Sequence, residues 1–149
     1  MEKKNILLTI RDRHIQDGET DSSELMTTGT LVGTPDDYTL CYNEQDDALR
    51  SCVTTVHVEG QERVTMVRTG SSTAELIIEK HKRHNCHYNT PFGSFILGVY
   101  GKQIVSKILP DELSGTVAFR YTLDFNSSNS TENELIILFK EATSNVPDC

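Results

Sequence analysis

The chain is predicted to be all-β, a closed or nearly closed antiparallel β-barrel of about 8–10 strands forming one domain over residues 1–149. Two observations predict it. Apolar and polar residues alternate with a period of two along most of the chain, and turn-forming residues separate the runs at hairpin spacing.

The clearest run is Val117, Phe119, Tyr121, Leu123 and Phe125, with Ala118, Arg120, Thr122 and Asp124 between them. That is a strand with one apolar and one wet face. Ile6, Leu8 and Ile10 alternate with Leu7, Thr9 and Arg11, and Cys52, Thr54, Val56 and Val58 alternate with Val53, Thr55, His57 and Glu59. Leu135, Ile137 and Phe139 form another row, although Ile136 and Leu138 make its second face apolar too. Thr34-Pro35-Asp36-Asp37 fits a type I turn, and Glu59-Gly60-Gln61, Gly70-Ser71-Ser72, Pro91-Phe92-Gly93 and Pro110 to Gly115 supply further breaks.

The runs place strands near residues 5–14, 24–33, 37–43, 50–59, 62–69, 73–80, 84–90, 94–108, 114–125 and 133–141. The polar stretch from Asn126 to Asn133 reads as a loop, including its two Asn-x-Ser/Thr sequences. Asn43 to Arg50 is the best place for a helical turn, with a polar loop as its alternative. Many short antiparallel strands must hide their edges, and closure does so most completely. The long run from Ser94 to Ile108 favours a barrel over a two-sheet sandwich, because Gly98 and Gly101 let one strand bend sharply.

Composition narrows the function classes. Twenty-two acidic against 14 basic side chains give a net charge of −8, which repels phosphate backbones and anionic lipid surfaces. Neither nucleic acid nor membrane is expected as a partner. The N-terminus has no unbroken apolar signal region and no stretch approaches a spanning helix, so a cytoplasmic location is expected. There Cys41, Cys52, Cys86 and Cys149 would be reduced thiols, and their spacing contains no C-x-x-C.

The run His84-Asn85-Cys86-His87-Tyr88-Asn89-Thr90-Pro91-Phe92-Gly93-Ser94-Phe95-Ile96-Leu97-Gly98-Val99 resembles the signature of the YwiB-like family. Val67 to Gly70, Tyr42-Asn43-Glu44 and Leu123-Asp124 fall where that family would place them, so the resemblance spans about Asn5 to Lys140. It implies a calycin-type, lipocalin-like barrel in a bacterial protein and implies no activity.

Candidate chemistry is sparse. His81, His84, Cys86 and His87 are metal-competent, but on a strand only His84 and Cys86 share a face. A closed zinc site needs four convergent ligands, so neither metal nor cofactor is expected. Arg68 continues the row Val64, Met66, and Lys80 continues the row Ala74, Leu76, Ile78, so parity turns both inward. There they would meet an anionic ligand at a barrel mouth or pair with Glu44, Glu75 or Glu79. Thr90, Pro91, Phe92 and Gly93 have the residues of a lip over a pocket and, more simply, of a hairpin turn. No Gly-x-Ser-x-Gly elbow, phosphate loop or His-Glu-x-x-His helix is present.

The favoured expectation is a non-enzymatic binder of a small molecule at a barrel mouth, with an anion as one option for its charge. Arg68, Lys80, Tyr88 and Glu44 would supply polar contacts, with Tyr42, Thr90 and Phe92 beside them. A protein-interaction or structural module is the alternative, in which an outer apolar patch would take a partner or a second copy. A hydrolase or isomerase using carboxylates in the cavity is the weaker alternative. That third reading requires an interior acid with a shifted pKa.

Overall fold

In the computed structural model of the chain, ten strands close into one antiparallel barrel. The structure describes residues 3–46, 50–70, 72–109, 114–125 and 128–142, with the side chains at 44–46, 50–51 and 128–129 outside that description. The strands are β1 Lys4–Gln16, β2 Glu19–Thr34, β3 Asp37–Asp46, β4 Arg50–Glu59 and β5 Arg63–Gly70, then β6 Thr73–Glu79, β7 Arg83–Thr90, β8 Gly93–Leu109, β9 Ser114–Phe125 and β10 Ser128–Glu141. Each strand pairs with its sequence neighbours, and β1 with β10 completes the ring. Closure leaves no edge strand open to other chains.

The alternating rows point as their parity requires. Ile6 and Leu8, Leu40, Val56 and Val58, Val64, Ile78, Val99, Val117 and Phe119, and Ile137 are buried in one core. Tyr38 joins them and pairs its hydroxyl with Ser106, which satisfies a polar atom inside an apolar middle. The centre of the barrel is thus filled by side chains.

Several expected boundaries move. β2 begins at Glu19, not near residue 24, because Gln16 pairs directly with Glu19. Asp17 (φ 52) and Gly18 (φ 80) make the two-residue turn between them, the positive-φ pair a tight hairpin needs. Asn43 to Asp46 is strand and not a helical turn, held by Asn43↔Val53 through Asp46↔Arg50; residues 47–49 lie outside the described residues. β10 starts at Ser128, so most of the expected polar loop is strand, with a bulge between Ser128 and Thr131. Residues 126–127 lie outside the described residues.

β8 is irregular at Gly101, while Gly98 pairs in register with both neighbours. The pairing of β8 with β9 shifts register just after Gly101, whose carbonyl accepts the His81 N–H at 2.9 Å. A Cβ at Gly101 would overlap the backbone of Glu79, so only glycine lets β8 pass this close to the end of β6.

Candidate functional site

One end of the barrel interior is polar, and the strand pattern explains why. Moving along β1, the inward row Ile6, Leu8, Ile10 continues into Asp12 and His14. On β10 the row Phe139, Ile137, Leu135 ends in Asn133. His14 and Asn133 are direct cross-strand partners, and their side chains meet through Nδ1 and Oδ1. The Asn133 amide also donates to Thr131 O at 3.3 Å and Thr131 Oγ1 at 3.1 Å, which fixes its oxygen toward the imidazole. His14 Nδ1–H is therefore the donor of that contact. The other ring nitrogen, Nε2, lies 3.2 Å from Asp12 Oδ1. That carboxylate oxygen is buried and, among the described residues, has no aligned hydrogen-bond partner; the same holds for the hydroxyl of buried Ser72. Two unfilled polar atoms at one end of a barrel are the sort of exception that calls for a ligand or a solvent molecule.

Across the interior, one ladder carries the other polar groups. Tyr42 pairs with Thr54, Thr54 with Arg68, Arg68 with Ala74, Ala74 with Tyr88, and Tyr88 with Phe95. Tyr42 and Thr54 are fully buried, and Arg68 and Tyr88 half-buried. Tyr121 stands between the two sides. Burial pushes its hydroxyl far above the ordinary range, the Asp12 carboxylate pushes it further, and Arg68 opposes them.

The wall parts just past the row that holds Arg68. β6 and β7 pair at Thr73↔Asn89 and Ala74↔Tyr88, then part, and the chain closes again at the Glu79↔Lys82 bridge. The Ile77 N–H, which faces the gap, finds the Cys86 sulfur at 3.3 Å. A cleft of about 340 Å³ lies there on the outer wall, lined mainly by outward-facing residues, with Arg68, Ala74 and Cys86 of the inward rows contributing to its lining.

The sequence-derived candidates divide by height along the barrel. Arg68, Tyr42 and Tyr88 share the ladder just described. Thr90 and Phe92 belong to the β7–β8 turn at the same end. Thr90 Oγ1 accepts the Phe92 N–H and donates to Gly93 O, both at 3.1 Å, so its polar atom builds the turn. Phe92 is 95% exposed. Lys80 sits six residues beyond Ala74 on the same chain run, about 20 Å away at strand rise, and so at the opposite end from Arg68. The two cations do not frame one pocket. The backbone of Glu44 pairs with Cys52 near the Arg68 end, while its side chain lies outside the described residues.

The other named groups are engaged elsewhere. Glu75 is exposed on the outer wall. Glu79 contacts His84 Nε2 at 2.8 Å and Lys82 at 3.3 Å, and those partners, His84 first, hold its carboxyl below the usual range. His81 occupies a turn with φ 62 and His87 is exposed, so the four metal-competent residues of the segment do not converge. On the outer wall Asp37, His57 and Glu59 each bring a donor atom within 4.8 Å of the others, but Arg63 already grips both oxygens of Glu59 at 2.6 and 3.1 Å.

The model of a domain of unknown function, DUF1934, matches residues 8–137. The chain belongs to the DUF1934 family. The crystal structure of the ywiB protein from Bacillus subtilis superposes with a TM-score of 0.82 at 23% identity, covering 95% of this chain and 94% of that one. At that identity the likeness shows the fold, a YwiB-like ten-stranded barrel. Among curated proteins none matches the chain. For this DUF1934 domain the polar end therefore has to be read from its own residues. Asp12, His14 and Asn133 were legible by extending the apolar rows two or four positions by parity; Ser72, in a turn, carried no such signal.

Proposed function

We propose that this DUF1934 domain is a non-enzymatic binder of a small anionic molecule at the polar end of the barrel, with Arg68 as the anion's partner. The observation that carries this reading is the cleft between β6 and β7, whose lining includes the inward-facing Arg68. Tyr42, Thr54 and Tyr88 lie on the same ladder as Arg68 and bring hydroxyl-bearing side chains to that end of the barrel. Ligand sites commonly combine an apolar wall with a few such polar groups. The buried Ser72 hydroxyl, without an aligned partner among the described residues, is a donor free to meet an anion at the same end.

Thermal unfolding with inorganic phosphate, pyrophosphate and citrate tests the reading. A ligand held at 100 times its Kd would stabilise the fold by about 2.7 kcal/mol, an easily read rise in Tm. Arg68→Gln is expected to abolish that rise. If none of the three anions shifts the wild-type Tm, or if the variant responds equally, the reading fails.

A further inference from the structure

We propose a second, separate binding site on the outside of the barrel, for a free single-chain amphiphilic anion. A groove of about 750 Å³ runs over the outer faces of β1, β2, β8, β9 and β10. Its apolar contacts include Leu7, Met26, Leu109 and Leu138, and it is bordered by Lys107 and Lys140. Met26 is 74% exposed, Leu109 44% and Leu7 40%; Leu7 and Met26 are diagonal neighbours on β1 and β2, and Leu109 stands three strands from Leu7 along the same groove. Grouped exposure of this kind marks an interaction surface, unlike the scattered apolar residues normal on a protein.

Charge and shape select the occupant. The chain carries a net charge of −8, yet among the described residues none lining this groove is acidic. The groove thus departs in sign from the acidic balance of the chain. Its first row runs across five strands, Met26↔Thr9↔Leu138↔Thr116↔Lys107. Four inter-strand spacings make that row about 19 Å long. Met26 stands at one end and the Lys107 ammonium at the other. A linear apolar tail with one anionic head matches this polarity, the tail lying over Leu138 toward Met26 and the head meeting Lys107 and Lys140. The volume falls in the range of small-ligand pockets. A second copy of the chain fits less well, because its lysines, laid over this face, would find no acid in the groove to meet.

Calorimetry with sodium decanoate below its micelle concentration, on the full chain, tests the assignment. Saturable binding is expected, with the Lys107→Gln/Lys140→Gln double variant weakened at least fivefold and Met26→Glu showing no binding. Acetate, which lacks the tail, and decylammonium, which reverses the charge, are expected not to bind. Arg68→Gln is expected to bind decanoate as the wild type does, which separates this site from the polar end. Lys107, Lys140 and Met26 are exposed, and circular dichroism checks that every variant, Arg68→Gln included, keeps its fold. Four results would overturn the assignment: no saturable decanoate binding, equal binding by decylammonium, capture by phosphatidylglycerol vesicles without decanoate binding, or a dimer that Met26→Glu dissociates.

Discussion

Two seams of the same barrel behave in opposite ways. β8 and β9 pair from Gly98↔Asp124 to Leu109↔Ser114, while β6 and β7 meet only at Thr73↔Asn89 and Ala74↔Tyr88. Behind the first seam lie Ile104, Val117 and Phe119, all buried in the apolar middle. Behind the second lie Arg68 and Cys86, and a thiol stands in for a carbonyl as the acceptor of the Ile77 N–H. The first ladder is continuous; the second lapses one step past the Arg68–Ala74–Tyr88 row, beside Leu76, Ile78 and Cys86. Continuous and interrupted pairing thus occupy different arcs of one sheet.

The largest expected effect breaks the sealed arc. Phe119 is 0% exposed and stacks on Tyr121 with ring centroids 5.9 Å apart. Phe119→Ala should cost about 3–5 kcal/mol, seen as a lower urea midpoint with little change in m-value. A loss under about 1 kcal/mol would mean that the β8–β9 arc does not dominate the core.

A weaker, graded effect comes with alkali. Burial raises the Tyr38 and Tyr121 hydroxyls and the Cys86 thiol above their ordinary values of 10.0 and 9.0. A raised folded pKa means that the stability from keeping the group neutral is fully present below the unfolded pKa. It is lost as the pH climbs past that value, since the unfolded chain ionises first. Urea midpoints should therefore hold from pH 7 to about 9 and fall beyond it. Tyr121→Phe should flatten the fall, and an unchanged slope in that variant would remove Tyr121 from the account.

On the open arc a single substitution should cost less. Cys86→Ala deletes the sulfur that accepts the Ile77 N–H, and an unpaired buried donor is worth about 1 kcal/mol or somewhat more. The loss should appear as a lower Tm together with faster exchange at Ile77. A variant as stable as the parent would show that the thiol is only a neighbour of that amide.

How much of this was legible depends on what periodicity can encode. Parity fixes a face, so Arg68, Phe119 and the apolar rows of β1, β4, β5, β6, β9 and β10 followed from the pattern, while Tyr38, Leu40 and Ile104 of the core were not read from it. It does not fix height along the barrel, which depends on turn lengths and register; hence Arg68 and Lys80 looked alike in sequence and lie at opposite ends. The first half of β2, Glu19 to Glu24, is exposed throughout and shows no alternation to detect. Its real signal was Asp17-Gly18, a two-residue hairpin turn. The parting of β6 from β7 left no trace, because both strands alternate normally and only their relative path differs.

The subtlest prediction uses that parting directly and needs no mutation. Amides on a strand point alternately to its two neighbours. Since Ile77 N–H points to β7, the amides of Leu76 and Ile78 point to β5, with which β6 pairs from Arg63↔Glu79 to Arg68↔Ala74. Local opening free energies set native-state exchange. Ile77 should then exchange at least about tenfold faster than Ile78, a gap of about 1.4 kcal/mol between adjacent residues of one strand. In β9 no such odd–even contrast should appear at Ala118 and Phe119, because that strand is paired on both sides. Equal protection of Ile77 and Ile78 would mean that β6 and β7 are sealed in solution, and the route from the surface to Arg68 would be closed with them.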